Sequence, residues 1–161
     1  MFAVENGFGQ IFVLIAQFQR EERGALLLNQ DKWVGIGGKF EEKESPEECN
    51  AREVFEETGL TLYDAKYRGV VTFVSDKWES ELMHLFTAAS FSGELIDCDE
   101  GELCWVDKKS IYSLPLWQGD KIFLKLLENN DFPFFSLKLE YKGEELIYAA
   151  LNGKKLDLTD Y

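Results

Sequence analysis

The sequence predicts an α/β fold, in which a mixed β-sheet is sandwiched between helices. Segments of strand length, rich in β-branched and aromatic residues, alternate with two segments of helical periodicity, an order typical of layered α/β proteins. The 161-residue chain is 45% hydrophobic and 14% aromatic, which is enough for a packed core. We therefore expect one domain over residues 1–161.

The first elements are predicted to form a hairpin followed by a glycine-rich loop. Residues 10–19 (QIFVLIAQFQ) read as a buried strand, residues 21–24 (EERG) as a charged turn, and residues 25–28 as the returning strand. The stretch 33–38 (WVGIGG) then places three glycines in four positions. At such a stretch the backbone must turn or approach another group closely.

A helix is predicted over residues 45–58 by its end signals. Ser45 is a favourable N-cap, Pro46 occupies the first helical position, and Glu48 completes a capping box. Gly59 follows Thr58 as the left-handed residue that ends the helix.

The remaining elements are predicted from periodicity and turn residues. They are strands over 61–75 and 80–91 around a turn at 76–79, a strand near 103–106, a helix over 118–127, and a hairpin over 132–151 that turns at Lys142-Gly143.

The net charge of −13 disfavours proteins that bind nucleic acids and restricts how a nucleotide could be bound. An acidic surface repels nucleic-acid backbones, so a nucleic-acid-binding domain is disfavoured. It also repels the phosphates of a nucleotide unless a bound cation reverses the local field. With one histidine and many carboxylates, any metal is expected to be hard, such as Mg²⁺ or Mn²⁺.

The cysteines and the hydropathy pattern indicate a cytoplasmic protein. Three cysteines without metal-site spacing are expected to be reduced thiols. The sequence has neither an apolar run long enough to span a membrane nor an evident signal peptide.

The predicted helix over 45–58 has an acidic face. On a helical wheel, four residues form a core-facing stripe: Ala51, Val54, Phe55 and Thr58. Three carboxylates lie on the opposite side: Glu53, Glu56 and Glu57. Residues three or four apart are about 5–6 Å apart at Cβ, so these carboxylates form one patch. From periodicity alone, the patch is either a solvated helix face or a metal-binding surface.

The sequence around this patch resembles the signature of Nudix hydrolases. The matching residues are Gly38, Glu44, Arg52-Glu53-Val54, Glu56-Glu57 and Gly59-Leu60. The resemblance implies the Nudix fold and hydrolysis of a nucleoside diphosphate derivative by a single domain over 1–161. Hydrolysis of such a compound needs charge neutralisation at the phosphoryl oxygens, an oriented water and a base.

The resemblance also implies roles for individual residues. Glu53, Glu56 and Glu57 would ligate Mg²⁺ or Mn²⁺ together with a backbone carbonyl of Gly37 or Gly38. Glu53 would be the general base, with Glu56 or Glu57 as alternatives. Arg52 and Glu44 would orient the carboxylates by ion pairing, and Arg52 is included among the predicted catalytic residues.

Further motifs resemble the mammalian-type branch of MutT-like oxidised purine nucleoside triphosphatases, the 8-oxo-dGTP diphosphatases. They are Lys32-Trp33, Asp99-Glu100, Cys104-Trp105, Pro115-Leu116-Trp117 with Asp120, and the aromatic hairpin from Phe132. The branch implies Glu100 as a further metal ligand and substrate contacts from four residues: Trp33, Phe73, Trp117 and Asp120. Trp117 would stack on the base and Asp120 would hydrogen-bond to it. The alternatives are core positions for Trp117 and Phe73, a helix-end charge for Asp120 and a solvated loop acid for Glu100.

Two positions depart from this branch. Val34 stands where the branch has an asparagine that reads the purine edge, and Gly119-Asp120 stands where it has paired aspartates. His84 alternates with apolar residues and is expected to be structural.

The expected function is Mg²⁺-dependent hydrolysis of 8-oxo-dGTP or a related purine nucleoside triphosphate to the monophosphate and pyrophosphate. Hydrolysis of ADP-ribose or dinucleoside polyphosphates, or a non-catalytic nucleotide-sensing module, are the alternatives. The expected partner is a small-molecule nucleotide, neither a nucleic-acid polymer nor a membrane, and the expected state is a monomer or small homo-oligomer.

Overall fold

The computed structural model describes residues 2–5, 11–18, 32–88, 90–98, 101–108 and 110–161. The predicted turn at 21–24 and the returning strand at 25–28 lie outside these residues. The two helices of the described part are α1 (Pro46–Thr58) and α2 (Gln118–Glu128). Its strands are β1 (Phe2–Glu5), β2 (Ile11–Phe18), β3 (Trp33–Gly35), β4 (Thr61–Tyr63), β5 (Lys66–Ser75), β6 (Glu81–Thr87), β7 (Ser90–Ser92), β8 (Gly101–Asp107), β9 (Phe135–Lys142), β10 (Glu145–Leu151) and β11 (Lys154–Lys155).

The chain divides into two compact units. The first unit comprises Met1–Lys66 and Phe86–Leu116, and the second comprises Tyr67–Leu85 and Trp117–Tyr161. The expectation of a single domain over residues 1–161 stays a prediction. Neither described helix is long and apolar enough to cross a membrane.

The sheet of the first unit is built around β2. Strand β8 pairs antiparallel with β2 along one edge, from Phe12 opposite Asp107 to Phe18 opposite Gly101. Strands β1 and β3 pair in succession along the other edge, both antiparallel. The predicted strand over 10–19 is therefore present, whereas β1 was not predicted. A separate two-stranded sheet in this unit joins β4 to β7.

Helix α1 has the predicted ends. The Ser45 hydroxyl accepts a hydrogen bond from the Glu48 N–H, and the Glu48 carboxylate accepts one from the Ser45 N–H. Pro46 is the first helical residue, and Gly59 ends the helix with φ 75°. Added to Gly59, a Cβ would lie 2.8 Å from the Glu94 carbonyl oxygen, a further reason for glycine there.

The buried face of α1 differs from the predicted stripe. Val54 and Thr58 are fully buried as expected, and Val54 packs with Ile36. Phe55, in contrast, is 56% exposed, and Glu57 lies among the buried residues. Ala51 is exposed as well. The prediction was wrong for Ala51 and Phe55 because α1 turns the side that carries Val54, Glu57 and Thr58 towards the core.

The second unit contains a five-stranded mixed sheet in the order β11-β10-β9-β5-β6. Strands β9 and β10 form the predicted terminal hairpin, in which Gly143 has φ 62° at the turn. Strand β5 runs parallel to β9, with Gly69 opposite Phe135 and Ser75 opposite Tyr141. Helix α2 covers the predicted range and packs against β10. The expected α/β class is thus present, with three sheets in the described residues where one was expected.

Two predicted strands are each divided in the structure. The segment 61–75 splits into β4 and β5 at Asp64, whose φ of 56° is a left-handed conformation that aspartate tolerates better than most residues. The segment 80–91 splits into β6 and β7, and β7 pairs with β4 in the first unit. Each break lets one segment that was predicted as a single strand contribute to two sheets.

Candidate functional site

The glycine loop lies directly against the start of the acidic face of α1. Gly37 has φ 151°, which side chains rarely adopt. A Cβ added to Gly38 would lie 2.3 Å from Oε2 of Glu53, so only glycine leaves room for this carboxylate. The loop backbone and a carboxylate group of the helix are thereby brought together.

Arg52 connects this loop to three glutamates. Its Nε and Nη2 donate to the two carboxylate oxygens of Glu44, at 2.6 and 2.9 Å. Its Nη1 donates to Glu53 at 2.8 Å and to Glu56 at 3.1 Å. Nη2 also donates to the backbone carbonyl of Lys39, at 3.0 Å. The planar guanidinium thus fixes the loop, the Glu44 carboxylate and the helix face in one arrangement.

The charges of this network stabilise one another. The hydrogen bond from Arg52, followed by one from the Glu41 N–H at 2.8 Å, lowers the pKa of Glu44 to about 2. The carboxylates of Glu44 and Glu53 raise the pKa of Arg52. Both partners of the expected Arg52–Glu44 ion pair are therefore charged throughout the physiological range.

The three carboxylates of the predicted patch are in different environments. The side chain of Glu53 is 13% exposed and that of Glu56 is 58% exposed. Glu57 is 9% exposed, on the core side of α1. In the part of the chain described by the structure, no three Asp, Glu, His or Cys side chains converge closely enough to hold a metal ion. Glu53 and Glu56 are instead joined through Nη1 of Arg52.

The carboxylates still meet the chemical requirement of a magnesium site. Carboxylate and carbonyl oxygens are the ligands that a hard divalent cation prefers. Glu53 lies in the space that a side chain at residue 38 would fill, so its oxygens adjoin the loop backbone. The donor set therefore fits the expected cation by type, and Gly38 leaves room for the Glu53 carboxylate beside the loop backbone.

Other residues implied for the first unit have different positions. Trp33 begins β3 and is half-buried, and its N–H donates to the carbonyl of Pro115 at 2.9 Å. Val34 follows it, opposite Ala16 of β2. Glu100 lies outside the described residues, so its expected metal ligation stays a prediction.

Residues implied for base contact in the second unit lie around the start of α2. Trp117 is the N-cap residue and is half-buried, and Asp120 lies in the first helical turn and is 8% exposed. Burial raises the pKa of Asp120 to about 7, although a backbone hydrogen bond at Trp117 acts in the opposite direction. A carboxyl group with this pKa can either donate or accept a hydrogen bond near neutral pH.

Tyr141 is a residue of this region that the sequence did not indicate. It lies on β9, contacts the rings of Phe73 and Trp117, and accepts a hydrogen bond from the Gly119 N–H. The available signal was weak: Phe135, Leu137, Leu139 and Tyr141 alternate on the buried face of β9. A tyrosine at such a position needs a hydrogen-bond partner.

Two other side chains are part of the packing. His84, expected to be structural, makes a short hydrogen bond through Nδ1 with the Tyr67 hydroxyl. Cys49 is buried on α1, with its sulfur 3.8 Å from Nη2 of Arg52. Burial raises the pKa of the Cys49 thiol, so it is an unreactive neighbour of the Arg52 network.

Comparison with known proteins matches residues 1–127 to the family model described as the NUDIX domain. An uncharacterised Nudix hydrolase, YvcI of Bacillus subtilis, is 39% identical over 93 residues, covering 55% of this chain and 59% of YvcI. The oxidized purine nucleoside triphosphate hydrolase of Danio rerio is 35% identical over 98 residues, covering 60% of this chain and 62% of that protein. The chain thus spans about three fifths of the length of these curated relatives.

Solved structures give a longer match. The crystal structure of the MutT protein from Bacillus halodurans superposes with a TM-score of 0.78 at 26% identity, and the match covers 95% of each chain. This likeness confirms the expected α/β Nudix fold. Together with the family model, which covers well over half of the sequence, it shows that this chain belongs to the Nudix family.

Proposed function

We propose that this chain is an Mg²⁺-dependent hydrolase that converts a purine nucleoside triphosphate, oxidised or normal, to the monophosphate and pyrophosphate. The observation that supports it most directly is the Arg52 network, in which one guanidinium holds Glu44, Glu53 and Glu56 together beside the glycine loop. A solvated helix face needs no such arrangement, and surface ion pairs alone add little stability.

We assign the residues the roles that the Nudix signature implies, and the contacts of Arg52 support this assignment for Glu44, Glu53 and Glu56. Glu53, Glu56 and Glu57 with the loop carbonyls of Gly37 or Gly38 would hold Mg²⁺ or Mn²⁺. The bound cation would neutralise phosphoryl oxygens and supply an activated water. Glu53, next to the loop, is our choice for the base that takes the proton of the attacking water.

Arg52 and Glu44 hold the proposed metal-binding carboxylates in position. Because Nη1 of Arg52 is shared by Glu53 and Glu56, it limits the repulsion between these carboxylates. Glu44 in turn fixes the guanidinium by two hydrogen bonds, so its loss would free Arg52 to rotate.

The substrate class rests on the relatives and on the second unit. One relative carries the name oxidized purine nucleoside triphosphate hydrolase. In this chain, the half-buried indole of Trp117 and the buried carboxyl of Asp120 lie within the first residues of α2. An aromatic face with one polar group is a suitable combination for a nucleobase. We also propose a cytoplasmic location, supported by the three free cysteines.

The test is a panel of substrates with product identification. 8-oxo-dGTP, dGTP, dATP, dCTP, ADP-ribose and a dinucleoside polyphosphate are each incubated with the protein and Mg²⁺, and parallel samples contain EDTA. We expect a monophosphate and pyrophosphate from purine triphosphates, and no product with EDTA. Turnover of ADP-ribose alone would contradict the proposed substrate class, and no turnover of any compound would contradict the enzymatic function.

A further inference from the structure

Tyr141 contacts Trp117 and the N–H group next to Asp120, the two residues that the proposed function assigns to the base, and it also contacts Phe73. Its ring lies edge-on to the Trp117 indole, with centroids 5.7 Å apart and planes at 83°. It is tilted against Phe73, with centroids 5.2 Å apart. Its hydroxyl accepts from the N–H of Gly119, the neighbour of Asp120, at 2.8 Å. Because Tyr141 is only 3% exposed, these contacts also hold the ring in place.

The Tyr141 hydroxyl takes the place of an N-cap side chain for α2. The first N–H groups of a helix have no partner within the helix. The N-cap residue of α2 is Trp117, which makes no side-chain cap hydrogen bond. Tyr141 therefore supplies, from strand β9, an acceptor for one of these buried N–H groups. Leaving such a donor unsatisfied is costly, so the position of the first turn depends on this hydroxyl.

Gly119 is the residue that makes this contact available. A Cβ at this position would lie 2.6 Å from the Tyr141 oxygen and 2.5 Å from Cδ1 of Leu139. A side chain at residue 119 and the phenol at residue 141 therefore compete for the same space. This chain has the phenol, which leaves Asp120 as the carboxyl group in the first turn of α2.

Asp120 and Tyr141 also interact electrostatically. Burial raises the pKa of Tyr141, and the charge of Asp120 raises it further. The phenol is therefore neutral near neutral pH, and its oxygen accepts the hydrogen bond from the Gly119 N–H.

We propose that Tyr141 is a positioning residue for base recognition, which holds the Trp117 indole and the first turn of α2, with Asp120, in the orientation that the base requires. The inference rests on the proposed function only for the assignment of Trp117 and Asp120 to the base. Tyr141 acts through these two residues and takes no part in the chemistry of the phosphates.

The test compares Tyr141→Phe, which removes the hydroxyl alone, with Tyr148→Phe. Tyr148 lies on β10 of the same sheet, where Lys138 and Lys155 contact its ring, and serves as the matched control. Affinities for GMP, AMP and CMP, and for inorganic tripolyphosphate with Mg²⁺, are measured by calorimetry. We expect Y141F to weaken purine monophosphate binding about tenfold, equivalent to about 1.4 kcal/mol. Tripolyphosphate affinity should be unchanged, and Y148F should resemble the wild type.

Each contrary outcome has a definite meaning. Equal losses for monophosphates and tripolyphosphate would show a general structural role and overturn the proposal, as would wild-type affinities in Y141F or an equal loss in Y148F. If circular dichroism shows that Y141F is unfolded, the test uses Gly119→Ala instead, because its added methyl group crowds the same hydroxyl. Selective loss of base affinity in folded G119A supports the proposal, and any other result with G119A overturns it.

Hydrolysis is measured separately, so that the two proposals can fail independently. If the wild type binds purine monophosphates but releases no pyrophosphate from triphosphates, the proposed function fails and the positioning role is still decided by the affinities. If the wild type hydrolyses triphosphates while Y141F keeps its base preference, the positioning role fails and the function stands. A wild type that binds no monophosphate overturns the positioning role.

Discussion

Replacing Asp120 by asparagine should remove a pH dependence of stability. The folded protein raises the pKa of this carboxyl group from 3.8 to about 7, chiefly through burial. Between about pH 4 and pH 7 the unfolded chain has released this proton and the folded chain has kept it. The folded state therefore binds more protons, and stability falls as pH rises through this window. Below pH 4 and above pH 7 the two states have the same protonation at this site.

The size of the effect follows from the two pKa values. They differ by about 3 units, and one unit corresponds to about 1.4 kcal/mol, so Asp120 should cost the folded state up to about 4 kcal/mol above pH 7. Asparagine has nearly the same shape and no charge to desolvate. We expect D120N and the wild type to be similarly stable at pH 4, and D120N to be more stable at pH 8.

Urea denaturation at half-unit intervals from pH 4 to pH 8, followed by tryptophan fluorescence, measures this difference. The control is Asp157→Asn, because hydrogen bonds from Thr159 lower the pKa of Asp157 and confine its effect to more acidic solutions. A difference between D120N and the wild type that stays constant over the whole range would refute the argument from burial.

Four further substitutions test the first unit. Glu53→Gln and Glu56→Gln should each lower kcat by orders of magnitude in a pyrophosphate-release assay, while Glu47→Gln, on the first turn of the same helix, should not. Gly38→Ala should reduce kcat about 100-fold by displacing the Glu53 carboxylate, with little loss of Tm since a flexible side-chain end is what must move. Ser45→Ala should cost about 1 kcal/mol in urea denaturation through the lost helix cap, and unchanged stability would contradict that role.

Local signals predicted α1 because both of its ends are encoded by neighbours in sequence. Ser45 and Glu48 make two hydrogen bonds over three residues, and Gly59 needs only its own freedom of φ. The buried side of α1, in contrast, was predicted only in part. The hydrophobic pattern predicted Ala51, Val54, Phe55 and Thr58 on the buried side, and of these only Val54 and Thr58 are buried in the folded unit. A helical wheel that ranks residues by hydrophobicity cannot predict that a glutamate such as Glu57 lies on the core side.

Sheet partners were harder to predict than strands. The segment over 61–75 is rich in strand-forming residues on both sides of Asp64, and one aspartate alone did not identify the break between the two strands. Pairing β4 with β7 and β5 with β9 joins residues far apart in sequence, and no local pattern specifies such partners. The same limit applies to Tyr141, whose contact with Gly119 links a strand to a helix that precedes it.

The Arg52 network also has a consequence for how this sequence can change over generations. Lysine cannot reproduce two hydrogen bonds to Glu44 while also reaching Glu53, Glu56 and the Lys39 carbonyl. Any first mutation at Arg52 therefore disturbs all of these partners at once. Because several partners would have to change together for an Arg52 substitution to be tolerated, the effect of such a substitution depends strongly on the residues at the other positions (epistasis). Glu56, the most exposed of the three glutamates, is the one whose replacement disturbs the network least.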